Sequence, residues 1–376
     1  MDSLKVTRRN VLRGISFGLG ASLVHGPLTT IAASLNSKNK GKLGIALVGL
    51  GQYSANQLAP ALLQTKNCYL AGIVTGTPSK IPAWQKAYQI PDSNVYNYEN
   101  FDSIIDNKDI DIVYVVLPIS MHKEFTVRAA KAKKHVICEK PMAMNVEEAE
   151  EMVNACKTNG VKLAIGYRLH FEPFNLKIME LGQQEKLGKI TRLEAKNNSD
   201  KTNGNPDVWR LRKDLAGGGP LMDMGIYCVQ GVCYTLGKLP KAVTAHYGKV
   251  TKPTYFYEVE ESIQWEMEFE DGVKAFCESS YHDPEGEGIL KAEATNGWFK
   301  IDPAYAYDDK AGATDSGEIN LPNVYEQVQQ MDGQAESFKN GTASKVPGEM
   351  GLNDMKILMA IYKSADQNGK RISISY

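Results

Sequence analysis

Leu43-Gly44-Ile45-Ala46-Leu47-Val48-Gly49-Leu50-Gly51-Gln52-Tyr53-Ser54 is the stretch that decides the fold. Its first six residues are a short run of strand character, and Gly49-Leu50-Gly51 turns the chain into a helical stretch, Gln52 to Gln64, with Leu58, Ala61 and Leu62 at helical spacing. A strand, a glycine turn and a helix in that order set backbone N–H groups and a helix N-terminus where a pyrophosphate binds. Ser54 stands where a third glycine is usual, and a small residue there still lets helix and strand pack closely. The bland alternative is an ordinary strand-to-helix turn.

Outward from this turn the pattern repeats. Tyr69 to Thr75, Asp111 to Leu117, His135 to Cys138 and Lys162 to Gly166 read as strands, alternating with helices at Lys80 to Tyr88, Ser120 to Lys134 and Val146 to Asn159. Continuously apolar strands alternating with helices indicate a parallel sheet covered on both faces, so residues 43–167 are expected to form a doubly wound, Rossmann-type α/β domain. Beyond residue 168 strand-like runs follow one another: Ile190 to Asn197, Ala242 to Val250, Ser262 to Phe269, Lys274 to Ser280 and Ile289 to Ala294. One helix, Leu221 to Leu236, interrupts them and two follow, Tyr325 to Asn340 and Leu352 to Asn368. Residues 168–376 are therefore expected to be an α+β domain with a large, mostly antiparallel open sheet, the last helix packing back on the first domain. An open outer sheet face suits a homo-oligomer, dimer or tetramer.

The 376 residues are 43% hydrophobic and 23% charged, a globular composition that excludes a disordered or multi-span membrane chain. Basic and acidic residues nearly balance, 43 against 44, leaving no cationic excess to attract nucleic acid. The N-terminus departs from that balance: Lys5, Arg8, Arg9 and Arg13 face only Asp2 within residues 1–33, and a weakly apolar run, Gly14 to Val24, follows. Thr7-Arg8-Arg9-Asn10-Val11-Leu12 resembles the twin-arginine export motif, so residues 1–33 are read as a signal peptide and the mature protein as periplasmic, without a membrane span. Residues 34–42 are polar and read as a flexible arm. Six cysteines, Cys68, Cys138, Cys156, Cys228, Cys233 and Cys277, have no spacing that suits zinc, so buried free thiols and no metal site are expected.

Two further segments carry chemistry. After the second strand no acidic residue is placed to bond a ribose 2′-OH, whereas Thr75 and Lys80 suit a 2′-phosphate, which favours NADP with NAD as the alternative. Glu139-Lys140-Pro141 lies at the carboxyl edge of the parallel sheet, where open α/β folds bind ligands. In Gly217-Gly218-Gly219-Pro220-Leu221-Met222-Asp223-Met224-Gly225-Ile226-Tyr227, Asp223 and Tyr227 are four apart and share a helix face. A phenol beside the Lys140 amine can trade a proton with a substrate hydroxyl while the Asp223 carboxylate orients the alcohol.

The glycine turn GLGQYSANQLAP, the EKPMAMN segment, GYRLHFEPFN, WRLRKDLAGGGPLMDMGIY and PGEMGLNDMKILMAIYKSA together resemble the glucose–fructose oxidoreductase/inositol dehydrogenase family, closest to its periplasmic glucose–fructose oxidoreductase branch. The resemblance runs from about residue 43 to the end. It implies catalytic roles for Lys140, Asp223 and Tyr227, with Tyr227 standing where many relatives carry His. It implies a cofactor site at Gly49, Leu50, Gly51, Gln52, Tyr53, Thr75, Lys80, Pro118, His122, Glu139, Lys140, Arg168, Trp209 and Arg210, and a sugar site at Lys140, Arg168, Asp223 and Tyr227. The expected activity is hydride transfer between a nicotinamide and a sugar hydroxyl or carbonyl. The alternatives are an NAD-dependent glycosidase of the same superfamily and a nucleotide-binding protein without turnover.

Overall fold

In the computed structural model, residues 39–376 are described; the expected leader, 1–33, and most of the arm, 34–42, lie outside them. The first sheet is built from β1 (Leu43–Val48), β2 (Cys68–Val74), β3 (Val95–Tyr96), β4 (Ile112–Val115), β5 (His135–Cys138) and β6 (Leu163–Ile165), in the order 3-2-1-4-5-6. All five pairings are parallel. Ile45 to Val48 are fully buried because helices cover both faces, which is why β1 reads as continuously apolar. Sequence neighbours diverge between β1 and β4, and the crevice above their carboxyl ends is where such sheets bind ligands.

The helix after β1 opens as a π-helical turn, Ser54–Leu58, before α1 (Ala59–Leu62), a correction to the regular helix expected over Gln52 to Gln64. Pro60 has no N–H to return to the preceding turn, so the regular ladder is interrupted there. The covering helices α2 (Ile81–Tyr88), α3 (His122–Lys131) and α4 (Val146–Asn159) fall close to expectation.

The second sheet has nine strands among the described residues. They are β7 (Ile190–Asn198), β8 (Ala242–Tyr247), β9 (Ser262–Glu268), β10 (Lys274–Ser280), β11 (Gly288–Ala294), β12 (Gly297–Ile301), β13 (Gly312–Thr314), β14 (Gly317–Ile319) and β15 (Ile372–Ser373). Only β7 and β10 pair in parallel. A helix the sequence reading does not place, α5 (Pro173–Gln183), precedes β7, its N-terminus capped by the Glu172 carboxylate accepting from Phe174 N and Asn175 N. α6 (Ile226–Leu236) packs on β7 and against α5 and is buried on nearly every side.

α7 (Glu326–Lys339) and α8 (Gly348–Asp366) return to the first sheet. The Asp332 carboxylate on α7 accepts from Lys66 N and Asn67 N ahead of β2, and Ile165 N in β6 donates to Val346 O just before α8. α8 also packs on α4 and β8, joining the two sheets. All six cysteines are free and buried.

One buried network crosses this seam. The Asp354 carboxylate on α8 accepts from Tyr167 OH and Gln230 Nε2, and His170 Nε2 lies 2.6 Å from Gln230 Oε1. Burial pushes the Asp354 carboxyl up to about 7, outweighing those hydrogen bonds, while burial lowers His170 to about 4. An unfolded Asp titrates near ~3.9, so the folded state holds a proton the unfolded chain has released. The stability Asp354 contributes is present below that value and is lost as pH rises through about 7. His170 acts with the opposite sign between about 4 and its unfolded value of ~6.5. Asp354→Asn isolates the first effect: relative to the parent, its stability in urea unfolding should rise by about 1–3 kcal/mol between about pH 5 and about pH 8. A pH-independent difference would show that Asp354 stays ionised in the fold.

Candidate active site

The glycine turn closes on itself. Gly49 has φ +95°, and a Cβ there would stand 2.3 Å from Val116 O, so only glycine fits between β1 and β4. Ser54 Oγ donates to Gly49 O at 2.6 Å, giving the residue in the third glycine position its own part in the turn. At Gly51 no atom lies within 4 Å of where a Cβ would stand, and Gln52 beside it is exposed. The first N–H groups of a helix lack partners within the helix, so this open spot is a cradle that fits the pyrophosphate of NAD(P). Lys80 Nζ donates to Leu50 O at 2.8 Å, which places its cation beside the turn at the end of β2. Thr75, buried, accepts from Thr77 N at 3.1 Å.

Lys140 leaves the end of β5 and crosses to the second domain. Its Nζ lies 2.5 Å from Asp223 O and 3.2 Å from Asp223 Oδ1, and 4.8 Å from the centroid of the Tyr227 ring. Asp223 sits in a π-helical turn, Leu221–Gly225, and Tyr227 in the first turn of α6. The regular helix expected over Leu221 to Leu236 is corrected in its first turn, but both side chains still reach the same ammonium. Asp223 Oδ2 accepts from Tyr281 OH at 3.0 Å and pairs with Arg210 Nε at 3.4 Å. Burial works against the Asp223 charge, yet Lys140 and then Arg210 hold its carboxyl well below the usual carboxylate range. Burial likewise opposes the Lys140 charge, and Tyr227, Asp223 and Glu139 outweigh it, holding the ammonium above its ordinary value. Lys140 is thus a fixed cation and Asp223 a fixed anion at neutral pH. The Tyr227 ring lies against this ammonium and completes the cluster.

Other expected residues take supporting places. Glu139 faces inward, accepting from Tyr114 OH at 2.6 Å and from Lys140 N at 3.3 Å, so it braces the lysine backbone. Pro118 precedes the short turn leading into α3. His122 is buried, and its ring nitrogens lie 3.0 Å from Pro141 O and 2.9 Å from Leu117 O. Burial pulls it down to about 4, so the imidazole is neutral at neutral pH. The terminal nitrogens of Arg168 donate to the buried Glu326 carboxylate and to Tyr305 O, and its guanidinium stands 5.2 Å from the Tyr227 ring centroid, so it helps to position that ring. Arg210 stacks 4.4 Å over Trp209 at the mouth of the site.

Sequence reasoning missed Tyr281 and Glu260. Glu260, half-buried, accepts from Gly219 N at 2.9 Å, Leu221 N at 3.2 Å and Tyr362 OH at 2.8 Å, holding the Gly217–Pro220 approach to the Asp223 turn. Both arrive from distant strand ends, so local patterning carries no signal for either.

A parallel sheet of this order with an open glycine cradle, facing a lysine–carboxylate–phenol cluster, defines a two-domain, dinucleotide-binding oxidoreductase. Residues 43–167 match the oxidoreductase family model with an NAD-binding Rossmann fold, and residues 175–300 match the GFO/IDH/MocA C-terminal domain. The chain belongs to the GFO/IDH/MocA family. A solved structure of aldose–aldose oxidoreductase from Caulobacter crescentus is 37% identical, with a TM-score of 0.84, covering 89% of this chain and 100% of that one. D-xylose 1-dehydrogenase [NADP(+)] of Haloarcula marismortui is 27% identical across 85% of this chain and 90% of its own. D-glucoside 3-dehydrogenase of Escherichia coli is 26% identical across 88% and 97%.

The cradle makes a test possible without turnover. Gly51→Val fills space that the protein itself leaves open, so thermal unfolding should stay close to the parent while the Kd for NADPH, read by nicotinamide fluorescence, rises at least ~10-fold. Unchanged affinity would show that the pyrophosphate lies elsewhere.

Proposed function

We propose that the protein is an exported, NADP(H)-dependent sugar oxidoreductase that keeps its cofactor bound, oxidising one sugar and reducing another with the same nicotinamide. The observation that carries this reading is the placement of Lys140 Nζ against Asp223 and over Tyr227, at the edge of a sheet whose glycine turn fits a dinucleotide. The likeness to an aldose–aldose oxidoreductase over that protein's whole length supports sugars as both donor and acceptor, and the likeness to an NADP-dependent xylose dehydrogenase supports the cofactor. Thr7-Arg8-Arg9-Asn10-Val11-Leu12 supports export of a folded, loaded protein to the periplasm, where no maintained pool of free NADP(H) would sustain an ordinary dehydrogenase. The polar outer face of the nine-stranded sheet is the surface on which a homo-oligomer would form.

When bound, the nicotinamide supplies the centre that accepts and returns hydride. Gly49 to Tyr53 hold the pyrophosphate, with Lys80 beside them for a 2′-phosphate. Asp223, a fixed anion, accepts from sugar hydroxyls and orients the ring. Lys140 fixes positive charge where the sugar oxygen changes protonation. Tyr227 Oη receives the C1 hydroxyl proton as C1 of one aldose loses hydride and becomes a lactone carbonyl. It returns that proton as the carbonyl of the second sugar gains hydride and becomes an alcohol, so protons and electrons balance over the cycle.

Gel-filtered protein should carry nicotinamide and, mixed with an aldose and a ketose without added cofactor, form lactone and alditol in equal amounts. A nucleotide-free protein that turns over only with added NAD or NADP would contradict retention, and cleavage of an aryl glycoside would point to the glycosidase alternative. Lys140→Ala should lower turnover at least ~10²-fold with cofactor binding largely kept, the usual size of an acid/base contribution. Near-normal turnover would reject the site. Lys80→Ala should weaken NADP far more than NAD, since only NADP has the charged 2′-phosphate; equal losses would leave Lys80 as a brace on Leu50 O.

A further inference from the structure

The last helix, α8, touches the supports of Lys140, Asp223 and Tyr227 in turn. Near its start it runs close over β6 and over the segment that follows Lys140. A Cβ at Gly351 would stand 2.9 Å from Ile165 Cγ1 and 2.9 Å from the Sδ of Met142, two residues beyond the lysine. One turn on, the Asp354 carboxylate accepts from Tyr167 OH and Gln230 Nε2, both at 2.5 Å and both on Oδ2. Gln230 lies three residues after Tyr227 on α6, so this bond fixes the turn of helix that carries the phenol. Further along α8, Tyr362 OH donates to Glu260 Oε1 at 2.8 Å, and the same carboxylate accepts from Gly219 N and Leu221 N at the approach to Asp223. A Cβ at Gly218 would stand 1.9 Å from Tyr362 Oη, so the tyrosine also presses on the glycine run itself.

Lys140 comes from the cofactor domain, and Asp223 and Tyr227 come from the other, so their spacing depends on how the two domains are set. One packed helix that grips all three supports sets it, because close-packed elements transmit displacement rather than absorb it. We propose that α8 is a strut that keeps Asp223 and Tyr227 in register with Lys140 and the cofactor, with Asp354 positioning Tyr227 through Gln230 and Tyr362 positioning Asp223 through Glu260. The proposal rests on the oxidoreductase reading above and adds two positioning residues to it. The two arms have different outputs. Tyr227 moves the proton, so slack in α6 slows the chemical step, and a displacement of about 1 Å from a remote change can cost ~10²-fold. Asp223 orients the sugar, so slack in its turn weakens sugar binding first. Asp354, Tyr167 and Gln230 are all buried, and bulk water does not replace a hydrogen bond lost among them.

The test follows reduction of enzyme-bound NADP by an aldose in stopped flow, read by nicotinamide fluorescence, with the Kd for NADPH measured alongside. Asp354→Leu removes the acceptor and should slow reduction at saturating aldose at least ~10-fold, with the half-saturating aldose concentration and the Kd for NADPH within about twofold of the parent. Asp354→Asn is the rescue: an amide oxygen in the place of Oδ2 accepts both bonds, and reduction should run at close to the parental rate. Gln230→Leu cuts the same link from α6 and should match Asp354→Leu, and the two together should cost no more than the larger single effect. Tyr362→Phe should instead raise the half-saturating aldose concentration roughly three- to tenfold, with the rate at saturation little changed. It removes only a hydroxyl, so it decides the matter even where the leucine variants do not fold. Parental kinetics in Tyr362→Phe or in a folded leucine variant, or a loss of NADPH affinity as large as the loss of rate, would overturn the strut alone. A parent whose bound NADP no aldose reduces would refute the oxidoreductase reading and the strut's role with it.

Discussion

The Lys140–Asp223 ion pair joins the carboxyl edge of the parallel sheet to the first turn of a helix in the other domain, and the site exists only where that link closes. A lysine whose side chain is 12% exposed and a carboxylate that is 23% exposed lose hydration, and such a pair persists only when additional hydrogen bonds satisfy both groups. Those bonds are present: Asp223 O also accepts from the ammonium, and Tyr281 and Arg210 serve the second carboxylate oxygen. The consequence is chemical as well as structural. Two opposite charges are held in fixed positions against the Tyr227 ring.

Three carboxylates, two buried and one half-buried, hold this arrangement from behind. Glu139 braces the lysine backbone, Glu260 binds the N–H groups leading into the Asp223 turn, and Glu326 fixes Arg168 next to Tyr227. Burial raises the carboxyl of each above its ordinary value, and the hydrogen bonds and neighbouring cations offset that cost only in part. The two π-helical turns, Ser54–Leu58 and Leu221–Gly225, lie at the glycine turn and at Asp223. Wider turns at helix starts re-aim side chains that a regular ladder would direct elsewhere, a recurrent feature of functional sites.

Much of this was legible in the chain because the physics is local. β1 is covered on both faces and so reads as an unbroken apolar run; the glycine turn follows from the close approach of Val116 O to Gly49; Asp223 and Tyr227 declare a shared face by their spacing. α5 was legible in principle, through Phe174, Ile178 and Leu181 at helical spacing behind Glu172-Pro173, but the strand-rich context masked it. β12 was signalled by Thr295-Asn296 and the Gly297 that follows, a two-residue hairpin turn closed by a glycine. The supporting roles were not legible. Arg168 and His122 have residue types that suit a cofactor, and only packing from distant elements turns them toward Glu326 and toward the Pro141 and Leu117 carbonyls. Glu260 and Tyr281 reach the site from strand ends far along the chain.

The central claim, that this cluster moves a hydride from one sugar carbon to another, is tested most directly by isotope. With an aldose deuterated at C1 and an unlabelled acceptor sugar, in ordinary water, the account predicts deuterium on the newly reduced carbon of the acceptor and none released to solvent. Deuterium appearing in water, with an unlabelled acceptor product, would contradict it.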